Sequence, residues 1–178
     1  MNHLAGLDLG LFLLRVGLAA LLSGHALQKS LGWFRGMGLT RTADVFESWG
    51  FRPGRTHVLL ATTCELTGAV LLATGLLTRA GCAVVIGTMI VAAAPNAVNG
   101  LWAHLGGCEV PVTYAGIAAC VAVTGPGRIA IDHAAGLPDG GGWGAVVAIA
   151  VGVLAALPPL LNRRRALRAV PVHAGPAA

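Results

Sequence analysis

LGLFLLRVGLAALLSGHALQK, residues 9–29, is the stretch whose reading decides the fold. Apart from Arg15, Ser23, His25, Gln28 and Lys29 it holds only apolar residues and glycine. A helix of about 20 such residues crosses a hydrocarbon core of about 30 Å. Four more apolar runs follow, at 56–77, 80–102, 110–124 and 143–161. The 110–124 run is the shortest and can span only marginally. The composition agrees. Of 178 residues, 56% are hydrophobic, 11% charged and 5% aromatic, and the mean hydropathy is +0.76. A soluble domain carries about 25% charged residues, and one of this size cannot hide so much aliphatic surface in a single core. A disordered chain, a disulfide scaffold and a water-soluble enzyme are excluded. A β-barrel would show alternating segments of about ten residues with aromatic girdles, whereas these runs are continuous. The expected fold is an all-α membrane protein: an antiparallel four-helix transmembrane bundle with an appended fifth C-terminal transmembrane helix.

The charges orient that bundle. Lys29, Arg35, Arg41, Arg52 and Arg55 fall in or beside the first loop, and Arg163, Arg164, Arg165 and Arg168 follow the last span. With five spans these regions share one side, and only Arg79 and Arg128 lie opposite. Positive residues favour the cytoplasmic side, so the expected protein is multi-pass in the plasma membrane, N-terminus outside and C-terminus cytoplasmic. Residues 1–8 carry no Lys or Arg, which agrees with an outside N-terminus rather than a cleaved signal peptide. The net charge of +5 is therefore a topology signal. No basic stripe carries interleaved aromatics, and nucleic acid is not an expected partner.

Smaller features complete the organisation. Residues 40–49 read as an amphipathic interfacial helix capped by Thr40, with Ala43, Phe46 and Trp49 on or near one face. Trp33, Trp102 and Trp143 lie near span ends, as an aromatic belt requires. The second and third spans are joined around Thr78-Arg79 so closely that they form a tight hairpin. Residues 1–133 form the four-helix domain, 134–142 a Gly/Pro linker, 143–161 the extra helix and 162–178 a basic tail expected to be disordered.

Ionisable groups inside spans are costly and mark function or packing. Three stand out: Arg15, His25 and Glu65. On a helix, Arg15, Leu22, His25 and Lys29 share a sector of roughly 80°, which faces protein or a cleft rather than lipid. Counted from the span ends, Arg15 and His25 each lie within side-chain reach of Glu65. The expected outcome is an ion pair with one or both, either fixing helix packing or handling protons and quinone. Pro95 frees a backbone carbonyl just before Asn96 and Asn99. These either hydrogen-bond between helices or join His25, Lys29 and Trp102 in a substrate or quinone pocket. Of four cysteines, Cys64 and Cys120 lie at similar depth and are the candidate redox pair, with packed thiols as the plainer alternative. No CxxC, haem-attachment or helical metal-ligand spacing occurs, so no metal site is expected.

Four stretches belong together. Leu13-Leu14-Arg15 leads into Gly24-His25-Ala26-Leu27-Gln28-Lys29 and Gly32-Trp33-Phe34. Glu65-Leu66-Thr67-Gly68 closes with Gly75-Leu76-Leu77-Thr78-Arg79. Asn99-Gly100-Leu101-Trp102 precedes Gly106-Gly107-Cys108-Glu109-Val110-Pro111, and Thr124-Gly125-Pro126-Gly127-Arg128 ends at Asp132. In this order the chain resembles the DoxX family of small integral membrane proteins over residues 9–133. The resemblance implies a four-helix membrane bundle working beside redox enzymes. Family members are associated with thiosulfate:quinone oxidoreductase, and with a complex coupling superoxide dismutase and a sulfurtransferase to thiol homeostasis. It singles out Arg15, His25, Lys29, Glu65, Glu109 and Arg128. Two departures stand out: Cys108 replaces an expected aromatic, and the fifth span is additional.

The expected function is a membrane subunit that anchors or couples a redox complex, with quinone as its cofactor if it has one. Its partners would be the lipid bilayer and a soluble oxidoreductase or sulfurtransferase at the cytoplasmic face, with a homo-oligomer left open. If the chain is itself an enzyme, it is a quinone-linked oxidoreductase subunit. The alternative is a small transporter or an assembly factor without redox chemistry.

Overall fold

A computed structural model describes residues 3–138 and 140–169. Seven helices run in order: α1 (His3–Ser30), α2 (Gly38–Ser48), α3 (Gly54–Thr74), α4 (Thr78–Asn96), α5 (Glu109–Thr124), the single turn α6 (Ile131–Ala134) and α7 (Gly141–Arg168). Two 3-10 turns, Ala97–Asn99 and Ala103–Leu105, join α4 to α5. The protein is an all-helical multi-pass membrane protein. Leu4–Ser30, Gly54–Thr74, Thr78–Asn99 and Gly141–Arg168 are long and apolar enough to cross a bilayer. Helix α5 has 16 residues, about 24 Å at 1.5 Å per residue, and matches the short fourth run.

Helices α1, α3, α4, α5 and α7 alternate in direction. One end of the bundle, the α2 end, gathers the last turns of α1, α4 and α7 with α2. The other, the hairpin end, gathers the α3–α4 turn and α6. That turn takes three residues, Gly75 to Leu77, with Gly75 at φ 66° and Leu77 at φ 46°. Helix α4 sits at the centre, packed on α3, α5 and α7. Its buried residues Gly81, Cys82, Ala83, Val85, Ile86, Gly87 and Met89 meet Leu18, Leu22, Leu72, Ala118, Val121 and Ala122 in the core.

Small residues set the closest approaches, as expected where lipid removes any hydrophobic drive between helices. A methyl group built on Gly87 would lie 2.8 Å from the Gly152 carbonyl oxygen, and one on Gly152 would lie 2.8 Å from that of Ala83. The fifth span is thus seated against α4 over its length, although it follows in sequence as an appendage. At the α2 end, Arg163 Nε donates to Trp49 O at 2.8 Å, and its guanidinium lies 5.8 Å from the buried Phe51 ring. These contacts dock the end of α7 on the α2–α3 corner.

Three boundaries differ from expectation. Residues 162–168, expected as disordered tail, continue α7 as helix because Arg163 and Leu167 have seats at that corner; residues 170–178 lie outside the described residues. Helix α2 begins at Gly38, whose φ of 70° turns the chain into it. Thr40 therefore lies within the first turn and caps nothing; no side chain caps this helix. Part of the 134–142 linker is helical too, since Ala134 closes α6 and α7 starts at Gly141.

Candidate functional site

Helix α3 buries a stripe of Val58, Thr62, Glu65, Ala69 and Leu72, the three-and-four spacing of one helix face. Glu65 lies in the middle of that stripe, 3% exposed. Its Oε1 accepts a hydrogen bond from Lys29 Nζ, in the one side-chain ion pair among the described residues. Lys29 stands in the last turn of α1 and extends its aliphatic stem inward, leaving the side chain 21% exposed. Glu65 Oε2 has no partner, and neither has Thr62 Oγ1 one turn away. A buried carboxylate oxygen without a donor is costly; among the described residues Arg15 Nε, Thr42 Oγ1 and Thr78 Oγ1 are buried without a partner too.

His25 precedes Lys29 by one turn of α1, and its ring stands 5.7 Å from that of Tyr114 at 60°. Tyr114, buried on α5, is the chain's one tyrosine. Three helices therefore contribute: α1 with His25 and Lys29, α3 with Glu65, α5 with Tyr114. Outside His25 lies a groove of about 280 Å³ lined by Ala20, Leu21, Gly24, Gln28 and Phe34. Phe34 and Arg35 have φ of 51° and 62°, a left-handed backbone that bulky residues rarely adopt. This turn folds Phe34 back over α1.

Neither His25 nor Arg15 forms the expected pair with Glu65, and Arg15 lies apart from this group. It is fully buried, donating Nη1 to Leu72 O at 2.8 Å and Nη2 to Ile129 O. These carbonyls belong to the last turns of α3 and to the segment before α6, so Arg15 is a strut of the hairpin end. Asp132 closes the same end. Its carboxylate accepts the Leu77 N–H at 2.6 Å and the Thr78 N–H at 2.8 Å, capping α4, while its own N–H donates to Gly75 O at 2.8 Å.

The remaining candidates lie apart from His25. Asn96 is half-buried at the end of α4, where the helix gives way to a 3-10 turn one residue after Pro95. Asn99 is exposed and donates Nδ2 to Gly106 O at 3.2 Å. Trp102 is exposed as well. Glu109 Oε2 accepts the Ala103 N–H at 2.8 Å, so these residues shape the α4–α5 connection. Neither the asparagines nor Trp102 nor Lys29 lines the His25 groove. Cys64 is half-buried and Cys120 exposed, both as free thiols. Among the described residues no three His, Cys, Asp or Glu side chains gather as a metal site. One residue escapes the sequence reading, Tyr114, which a lone tyrosine inside a span could have signalled; Asp132 stands in that reading only as the end of the fourth stretch, without a role.

Comparison with known proteins places the chain in a family. The family model described as DoxX covers residues 10–105, a stretch that holds Arg15, His25, Lys29 and Glu65 and stops short of Tyr114, Asp132 and α7. No curated protein and no solved structure matches the chain.

Proposed function

Because the chain belongs to the DoxX family of membrane proteins, we propose that it is the membrane subunit anchoring and coupling a redox complex, linked to quinone through the His25–Lys29–Glu65 group. The observation that carries this reading is the buried Glu65 carboxylate, held by Lys29 through one oxygen and free at the other. A carboxylate oxygen without a donor is open to a proton, which a proton-handling site needs. Two-electron, two-proton reduction is the chemistry that a quinone brings to a site of this kind. The groove beside His25 fits a head group in character: Leu21 and Phe34 are apolar, and His25 and Gln28 can hydrogen-bond a carbonyl oxygen. Lys29 fixes the carboxylate, Glu65 Oε2 holds or yields a proton, and His25 stands one helical turn from Lys29 on the groove side. Electrons come from a soluble partner enzyme, an oxidoreductase or sulfurtransferase, docked at the arginine-rich α2 end.

Purification from membranes in mild detergent tests the reading. Such a partner should be recovered with the chain, and the complex should reduce a soluble quinone analogue. Glu65→Gln and His25→Ala should keep the partner and lower quinone reduction at least about tenfold, the range for loss of a positioned proton-transfer group. Recovering no redox partner, or unchanged reduction in both variants, overturns it. Solute flux in reconstituted vesicles without quinone reduction would favour a transporter instead.

A further inference from the structure

The hairpin end carries a second concavity, remote from Glu65 and independent of the reading above. A cavity of about 630 Å³ opens between the start of α4, the end of α5 and the segment through α6. Arg79, Arg128 and His133 line it, with Thr124, Pro126 and Asp132. We propose that this cavity binds a phosphate group, held between the guanidinium groups of Arg79 and Arg128.

The two arginines are anchored without being neutralised. Arg79 donates Nε to Ala122 O at 3.1 Å and Nη2 to Gly141 O at 2.9 Å. Both acceptors are uncharged carbonyls, so the side chain is aimed while its charge meets no carboxylate among the described residues. Arg128 is held by its backbone: its N–H donates to Asp8 Oδ1 at 2.9 Å. Its exposed guanidinium makes no ion pair among the described residues. Asp132, the acid of the lining, takes the last N–H of the α3–α4 turn and the first of α4, and its negative charge faces the buried Arg15 behind it. With Asp132 set against Arg15, Arg79 and Arg128 remain as the unpaired positive charges of the lining among the described residues.

The distribution of charge along the whole chain makes this convergence informative. Of twelve Lys and Arg residues, nine lie at the α2 end or in the segments beside it. The other three are Arg15, Arg79 and Arg128, and all three surround the 122–132 segment. Arginines that serve only topology gather on one side of the membrane. Those kept at the poor end need another reason, and an oxyanion is what paired guanidinium groups bind best. The cavity is larger than a lone phosphate requires, so the group can arrive on a lipid headgroup or on a soluble phosphate.

Thermal unfolding of the purified full chain in neutral detergent distinguishes these sources. Inorganic phosphate and phosphatidylglycerol are titrated separately, with sodium chloride at matched ionic strength and phosphatidylcholine as controls. Saturable stabilisation by phosphate assigns a soluble ligand. Stabilisation by phosphatidylglycerol alone assigns a headgroup, and by both, a headgroup site that reads its phosphate. Arg128→Gln should raise the half-saturating concentration at least about tenfold, the loss of one charge-assisted contact. Arg79 also braces three helices, so the exposed Arg128 carries the test. Arg164→Gln, at the opposite end, should leave the titration unchanged. No saturable response to either probe, or equal responses in wild type and Arg128→Gln, overturns the proposal.

Discussion

Glu65 and Lys29 share one bond but not one environment. Lys29 keeps a fifth of its side chain exposed and ends α1, so its ammonium can swing to the interface when released. Glu65 is enclosed and has nowhere to go. Removing the lysine should therefore cost more than neutralising the acid. We expect Lys29→Met to destabilise by about 3 kcal/mol and Glu65→Gln by about 1 kcal/mol, measured by denaturant unfolding in detergent. The reverse order would contradict the pairing. Both residues were legible in the sequence, because a charge inside an apolar run declares itself. The partner was not. Counting from span ends treats α1 and α3 as level, yet they are staggered. Arg15 bonds Leu72 at the end of α3, and Glu65 lies seven residues away along that helix, roughly 10 Å. Lys29 reaches Glu65 from the other direction because its stem is long, a property that residue counting omits.

Between elements, contact depends on what is missing from a side chain. The α4–α7 crossing is lined by Ala83, Gly87, Ala148, Gly152 and Ala156, spaced at fours along each helix. Gly152→Ala should push α7 off the Ala83 carbonyl and destabilise the bundle by about 2 kcal/mol. Gly116→Ala is the control: a methyl group there meets nothing within 4 Å. It should leave stability unchanged or raise it by up to about 1 kcal/mol, since alanine favours the helix. Equal effects would show that propensity rather than close packing governs both sites. The existence of each span could be read from length and apolarity alone. How α7 is seated could not, because residues 134–142 look like a tether and periodicity says nothing about which partner a helix chooses. Its small-residue spacing was the available signal.

For the molecule as a whole, the asymmetry of charge is the strongest topological statement. Nine positives at the α2 end against three at the hairpin end predict that the α2 end faces the cytoplasm. A C-terminal fluorescent-protein fusion should then glow and a C-terminal alkaline-phosphatase fusion should be inactive; an active phosphatase would reverse the orientation and move the partner-docking face with it. The phosphate-binding cavity escaped sequence reading because Arg79 and Arg128 are distant along the chain and meet only once α6 has folded back on the α3–α4 turn. That closure also has an order in time. Arg15 enters the bilayer with the first helix, yet the carbonyl of Ile129, its second acceptor, lies 114 positions downstream. During synthesis the earliest buried charge therefore waits for one of the last acceptors, and a ribosome that stalls before residue 129 leaves in the membrane a chain whose hairpin end cannot close.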